Sequence, residues 1–360
     1  MRVSANVPAL NQLAVQAFGV HGRYRLVASG YTYDIKFTQV TANQVQVDIT
    51  RSSGTPVASA VVAGTDPRNA LLRAADVAVE KTNGLGLHGF FAGKLAFIGE
   101  RTGHKEIYTS DLFFGDVKQI TRDSAQALTP RWSPDGTRIL YTSYYRSGFP
   151  DIFEINLNSY QRTTFVSFKG TNSGARFSPD GRRVAMVLSG EGNAEVYTGN
   201  AEGRQIRRLT YLRDAVAASP CFSPDGSRIV FTSDAAGGPQ LYVISASGGS
   251  MQRLPTNISR YCAEPDWSRA NPDKIAFTMR IGAGYQVAVF SFSKQTSEQV
   301  SHAPFDGIEP SWLGDGRHLV YTARDRRTTR ICILDTESGK STPITPTSFG
   351  PTLEGSAWER

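Results

Sequence analysis

Arg131-Trp132-Ser133-Pro134-Asp135-Gly136, followed at once by the strand-like run Arg138-Ile139-Leu140-Tyr141-Thr142-Ser143, is the stretch that decides the fold. It returns as Arg176-Phe177-Ser178-Pro179-Asp180-Gly181 before Val184-Ala185-Met186-Val187-Leu188, and as Cys221-Phe222-Ser223-Pro224-Asp225-Gly226 before Ile229-Val230-Phe231-Thr232-Ser233. Two worn copies follow, Pro265-Asp266-Trp267-Ser268 and Pro310-Ser311-Trp312-Leu313-Gly314-Asp315-Gly316, and a last fragment, Ser356-Ala357-Trp358, ends the series. The aromatic anchors fall at 132, 177, 222, 267, 312 and 358, in steps of 45, 45, 45, 45 and 46. A period of this size, with several short β-rich runs in each unit, is the signature of a propeller with one blade per repeat.

Each period reads as four strands. In the third copy these are Cys221-Phe222-Ser223, Arg228 to Ser233, Gln240 to Ala246 and the start of a fourth at Gln252 to Pro255. The turn between the first two has specific chemistry. Pro presets φ near −65°, Asp accepts local backbone hydrogen bonds, and Gly takes the left-handed conformation that follows. Second strands number six when Leu95-Ala96-Phe97-Ile98 is included, and third strands also number six, from Glu106-Ile107-Tyr108 to Arg330-Ile331-Cys332. The first-strand signature is missing before Leu95, and the Trp358 copy has no second strand after it. The chain end is therefore expected to supply the innermost strand of the first blade, which would close the ring and remove exposed edges. The recurring aromatics read as packing between adjacent blades.

Six periods leave about ninety residues with a different pattern. Leu10, Leu13, Ala14, Ala17 and Phe18 share one face of a short helix after Pro8. Tyr24 to Ser29, Asp34 to Val40, Gln44 to Thr50 and Pro56 to Val62 read as strands, punctuated by Gly30, Asn43 and Gly54. A second helix follows, with Asp66 as N-cap, Pro67 at its first position, a stripe of Leu71, Ala74, Ala75, Ala78 and Val79, and Asn83-Gly84 at its end. The expected fold is mainly β: a small α+β amino-terminal domain over residues 1–88 and a six-bladed β-propeller over 89–360, closed by the carboxy-terminal strand. Gly84-Leu85-Gly86-Leu87-His88-Gly89 matches GxGxxG, but a helix precedes it and a strand follows. A dinucleotide fingerprint needs the reverse order, so the segment reads as a linker.

The net charge of +7 is spread along the chain with acids interleaved, and the densest basic cluster, Arg324 to Arg330 around Asp325, reads as a solvated loop with no nucleic-acid role. Cys221, Cys262 and Cys332 form no disulfide framework and read as buried strand residues. No apolar run is long enough to span a membrane, and Met1 to Val7 lacks the features of a secretory signal. The chain is then cytoplasmic or begins after a removed leader.

Catalytic signals are missing. His21, His88, His104, His302 and His318 share no metal-ligand spacing, GxSxG is absent, and Asp306 with Glu309 reads as ordinary loop carboxylates. No metal, cofactor or catalytic group is expected. Recognition is what remains. The loops between second and third strands and those linking blades should emerge at one channel mouth, where they carry Tyr144, Tyr145, Arg146, Phe149, Tyr211, Tyr261, Arg280, Tyr285, Arg326 and Arg327. Tyr and Arg are enriched where interfaces bind tightly, so these residues are the candidate partner contacts.

The three Ser-Pro-Asp-Gly copies with their anchors, a small α+β domain ahead of six blades, and the junction from Asn69 through Gly89-Phe90 to Lys94-Leu95-Ala96-Phe97 resemble the TolB family of the Tol-Pal system. The resemblance implies a non-catalytic, monomeric periplasmic scaffold that binds the peptidoglycan-associated lipoprotein Pal through its propeller, works with TolA, and reaches the membrane through partners only. The amino-terminal domain is short for that family, and no tail of the kind offered to TolA is identifiable. Two other readings stay open: a lyase or hydrolase using the propeller channel, and a glycan-binding or sensor module of the envelope.

Overall fold

The computed structural model describes residues 1–83 and 87–358. The glycine-rich segment Gly84 to Gly86 lies outside them, so the reading of its GxGxxG match does too. The chain divides into two compact units, Met1–Gly93 and Lys94–Arg360.

In the first unit, β1 (Arg2–Ala5) pairs parallel with β2 (Tyr33–Thr41), and β3 (Gln44–Arg51) and β4 (Pro56–Ala63) extend the sheet antiparallel in the order β1-β2-β3-β4. Helices α1 (Pro8–Val20) and α2 (Pro67–Asn83) complete it. Alternation along the strands buries Ile35, Phe37, Val45, Val47 and Ile49, while 3.6-residue periodicity buries Leu13, Ala14, Ala17 and Phe18 of α1 and Leu71, Ala74, Ala75, Ala78 and Val79 of α2. Asp66 caps α2 as its sequence indicates, its Oδ1 accepting the Asn69 amide at 2.8 Å. One assignment needs correction. Tyr24 to Ser29 forms no strand; its backbone makes isolated bonds to the chain start, Val27 N to Met1 O and the Met1 ammonium to Arg25 O. The strand is instead Arg2–Ala5, held by the Arg2 guanidinium forking onto Asp34 at 2.8 and 2.5 Å.

The second unit is a propeller of six four-stranded sheets. Blades two to six each use four consecutive strands, whereas blade one is ordered Thr352–Trp358, Lys94–Gly99, Glu106–Asp111, Lys118–Gln119. The Ser-Pro-Asp-Gly turns are self-contained. Ser133 Oγ donates to Asp135 Oδ1 at 2.5 Å, that carboxylate accepts the Thr137 amide at 3.0 Å, and Ser133 Oγ accepts the Arg138 amide at 2.9 Å. Ser178 with Asp180 and Ser223 with Asp225 repeat the pattern, and the Ser223 and Ser227 hydroxyls hold the Asp225 carboxyl down at about 2.

The cores lie between blades rather than within them. Ala96, Ile98 and Ile107 of blade one meet Trp132, Ile139 and Phe153 of blade two, and comparable clusters join each later pair through blade six. Each anchor ring from Phe177 to Trp312 is covered by a cation from the preceding blade: Arg138 over Phe177 at 4.7 Å, Arg183 over Phe222 at 5.3 Å, Arg228 over Trp267 at 4.8 Å and Lys274 over Trp312 at 5.9 Å. Closure uses two tryptophans. Trp132 Nε1 donates to Ser356 O and Trp358 Nε1 to Pro134 O, both at 3.1 Å. Gly136, at φ 68°, sits so close to this seam that a Cβ would lie 2.6 Å from the Trp358 ring.

Deleting Leu353 to Arg360 removes the strand beside Lys94–Gly99 and opens the ring. We expect the melting temperature, followed by circular dichroism, to fall by at least ~10 °C; unchanged melting would contradict a closing role for this strand.

Candidate functional site

The two ends of the propeller channel can be told apart by strand direction. The first strands run inward from the blade-linking segments and end at the Ser-Pro-Asp-Gly turns, so the loops between second and third strands share the opposite end with the linkers. Side chains confirm the pairing: Ser259 Oγ donates to Arg280 O at 2.7 Å and Asn193 Nδ2 to Leu212 O at 3.2 Å.

The ten candidate contact residues all lie at this loop end, in four groups. Tyr261, Arg280 and Tyr285 come together on blade five, with the two rings 5.2 Å apart edge to face and Arg280 opposite Tyr285 in the ladder. Tyr144, Tyr145, Arg146 and Phe149 share one exposed loop of blade two, Phe149 being 68 % exposed. Tyr211, 75 % exposed, stands in the link from blade three to four, and Arg326 and Arg327 occupy a blade-six loop. Among the described residues the four groups make no ring or ion contact with one another.

Arginines from the same blades hold two of these rings in place. Arg162 lies 4.0 Å over Tyr145 while pairing with Asp123 at 2.5 Å, and Arg208 lies 4.7 Å over Tyr211 while pairing with Glu195 at 2.6 Å. Arg326 covers Phe305 at 5.2 Å. Rings fixed in this way lose less side-chain entropy on binding.

Sequence reading missed the channel wall. Every inner strand carries a bulge, and at each bulge one residue adopts a left-handed φ: Thr129, Gly174, Ser219, Glu264, Glu309 and Glu354, between 51° and 63°. They follow the same 45-residue step as the anchors. Pro130, Pro220, Pro265 and Pro310 come next, where a bulge on an edge tolerates a residue with no N–H. The bulged amides reach the preceding blade. Glu264 N donates to Thr232 Oγ1 at 3.2 Å, Glu309 N to Thr278 Oγ1 at 3.0 Å, Glu354 N to Thr322 Oγ1 at 3.0 Å and Gly174 N to Thr142 Oγ1 at 3.4 Å. The carboxylates join in: Glu264 Oε2 accepts the Glu309 amide and Glu309 Oε2 the Glu354 amide, both at 3.1 Å, and Glu354 Oε2 accepts the Thr129 amide. A relay thus runs from blade four through five, six, one and two to three.

Glu309 reads in the sequence as a loop carboxylate beside Asp306; it belongs instead to this wall, while Asp306 is tied to Arg324 at 2.7 Å and to the Tyr285 amide at 2.9 Å. Burial first, then Glu354 and Glu264, pushes the Glu309 carboxyl up to about 8, and burial raises Glu354 too. The folded chain therefore holds a proton on Glu309 that the unfolded chain releases above its ordinary 4.5. That stabilisation is complete below about pH 4.5 and is lost as pH rises through about 8.

These features are similar to known proteins. A model of the TolB beta propeller domain matches residues 83–358. Tol-Pal system protein TolB of Desulfosudis oleivorans is 38 % identical over 125 residues, 35 % of this chain and 28 % of that protein. Protein TolB homolog of Chlorobaculum tepidum is 34 % identical over 125 residues, with the same coverage of 35 % and 28 %. The chain thus spans little more than a quarter of the length of these curated relatives. In structure, TolB from Acinetobacter baumannii covers 100 % of this chain and 96 % of its own with a TM-score of 0.86 at 23 % identity, a likeness of fold.

The carboxyl relay makes a direct test possible. Between about pH 5 and pH 8.5 the melting temperature should fall by several degrees, and Glu309→Gln, which keeps an oxygen to accept from Thr322 and the Glu354 amide, should lose about half of that dependence. Equal pH slopes for both proteins, measured by scanning calorimetry, would rule the held proton out.

Proposed function

This chain belongs to the TolB β-propeller family, and from that premise we propose that it is a non-catalytic protein-binding scaffold of a Tol-Pal system. It works in the periplasm and binds a Pal-like peptidoglycan-associated lipoprotein through the loop end of the propeller, with TolA as a second partner. The observation that carries this reading is the gathering of Tyr261, Arg280 and Tyr285 at that end, with Tyr145 and Tyr211 held by arginines around the same mouth.

The physical argument runs through anchoring. Exposed aromatics flanked by guanidinium groups bury area and offer planar donors at small entropic cost, which is how a few residues come to dominate binding energy. A scaffold rather than an enzyme is supported by the channel carboxylates, each of which turns Oε2 to an amide of the next blade, with a threonine hydroxyl of the same blade also donating to Glu264 and Glu309.

The test is calorimetric titration with the soluble domain of the cognate Pal-like lipoprotein. We expect micromolar or tighter binding, weakened at least ~10-fold in the double variant Tyr261→Ala, Tyr285→Ala, since losing one central aromatic contact costs about 1.4 kcal/mol or more. No binding at micromolar protein would overturn the partner, and wild-type affinity in the variant would overturn the surface.

A further inference from the structure

The turn end of the channel is built differently from the loop end. Two residues beyond each bulge, the inner strands present Arg131, Arg176, Cys221, Asp266, Ser311 and Ser356, again one per blade. Three of them tie adjacent blades together. Cys221 Sγ accepts the Trp267 amide at 3.4 Å, Asp266 Oδ2 the Trp312 amide at 2.7 Å and Ser311 Oγ the Ala357 amide at 3.2 Å. Blades two and three break this scheme with arginines, which accept nothing. Their presence therefore needs another account.

Arg176 has one. Its Nη1 reaches Asp266 Oδ1 across the channel at 2.5 Å. Arg131 does not: among the described residues its guanidinium makes a single hydrogen bond, from Nη1 to the carbonyl of its own neighbour Pro130 at 2.9 Å. Five N–H donors in a rigid fork are thus left with one partner inside a narrow space. The space is a cavity of about 60 Å³ lined by Arg131, Arg176, Cys221, Asp266, Ser311 and Ser356, with aromatic anchors around them. One water occupies roughly 10–15 Å³ on this measure, so the cavity admits a group several times larger. Ser311, which uses its oxygen as acceptor, can turn its O–H inward, and the buried Ser356 hydroxyl lines the same wall. None of the nearby carboxylates hydrogen-bonds to Arg131 among the described residues: Asp266 holds Arg176 and the Trp312 amide, while Glu309 and Glu354 turn Oε2 to Thr322 and the Glu354 amide and to the Thr129 amide. Burial and the neighbouring Arg176 lower Arg131 to about 10, which leaves it charged at neutral pH.

We propose that the turn end of the channel is a carboxylate-binding site, with Arg131 as the anchoring cation and the Ser311 and Ser356 hydroxyls as flanking donors. The guanidinium fork matches the two oxygens of a carboxylate, and the cavity holds that group with a short tail but no more. The site lies at the opposite end from the proposed lipoprotein contact and does not depend on it.

Trp132, Trp267 and Trp358 line the cavity and report on it. Their fluorescence should change saturably when sodium acetate replaces sodium chloride at constant ionic strength and about pH 7.5. Arg131→Gln should weaken acetate at least ~10-fold and Ser356→Ala a few-fold, judged against each variant's own melting curve. A blocked Gly-Asp-Gly peptide separates the sources: tighter binding of acetate assigns a free small acid, and tighter binding of the peptide assigns an acidic side chain of a partner. The proposal is overturned if wild-type protein responds identically to acetate and chloride and ignores the peptide, or if folded Arg131→Gln binds as the wild type does.

Discussion

Neighbouring blades of this propeller share no backbone ladder, so everything that joins them must come from side chains or from amides aimed out of their own sheet. Bulges on the inner strands supply several of those amides. By turning one residue left-handed, such a bulge points an N–H at a threonine hydroxyl or a carboxylate of the preceding blade, and the resulting relay crosses the seam where the two chain ends meet. Five of the six residues are not glycine. Each carries a conformational cost on the order of 1–3 kcal/mol, which persists only where surrounding contacts determine the geometry more than once. Packed cores between blades, cations over the anchor rings and the paired tryptophans at the seam provide that redundancy.

The relay also explains how charge is arranged. Blades five, six and one place Glu264, Glu309 and Glu354 at the bulge, where a carboxylate can accept the next blade's amide. Three carboxyls held within one narrow channel cannot all ionise cheaply, and the rise of the Glu309 carboxyl is the consequence. Two residues further along, blades two and three carry Arg131 and Arg176 instead of acceptors. Acid and base are thus offset both around the ring and along its axis, and among the described residues Asp266 alone pairs with one of these arginines.

What was legible in the sequence follows from how local each interaction is. The Ser-Pro-Asp-Gly turn closes its hydrogen bonds within six residues, so spacing alone revealed six blades and the strand missing before Leu95. Helix α2 was equally legible, because Asp66 and Pro67 mark its start within two positions. The bulge ring was not, since a backbone role is filled by Thr, Gly, Ser and Glu without a common side chain; only the repeated step of 45 could have exposed it. Strand β1 escaped because its four residues depend on Arg2 reaching Asp34, a contact thirty-two positions away, while Tyr24 to Ser29 had strand-like composition but no ladder to join. The candidate surface was legible as a list of Tyr and Arg residues. Its organisation was not, because the arginines that fix Tyr145 and Tyr211 come from the short fourth strands, the weakest signal in each repeat.

The two ends of the channel therefore answer to different constraints. At the turn end, Cys221, Asp266 and Ser311, each two residues past a bulge, accept the next blade's amide and strengthen the ring, a gain that an arginine forgoes. Such a departure on two adjacent blades demands a return in binding or electrostatics, and Arg176 finds it in Asp266. At the loop end no such rule applies. Loops such as Tyr144 to Pro150 are anchored at their bases, where Tyr144 N donates to Gln126 O at 3.1 Å, and their outer residues are released from holding the ring together. Side chains can change there without loosening a blade.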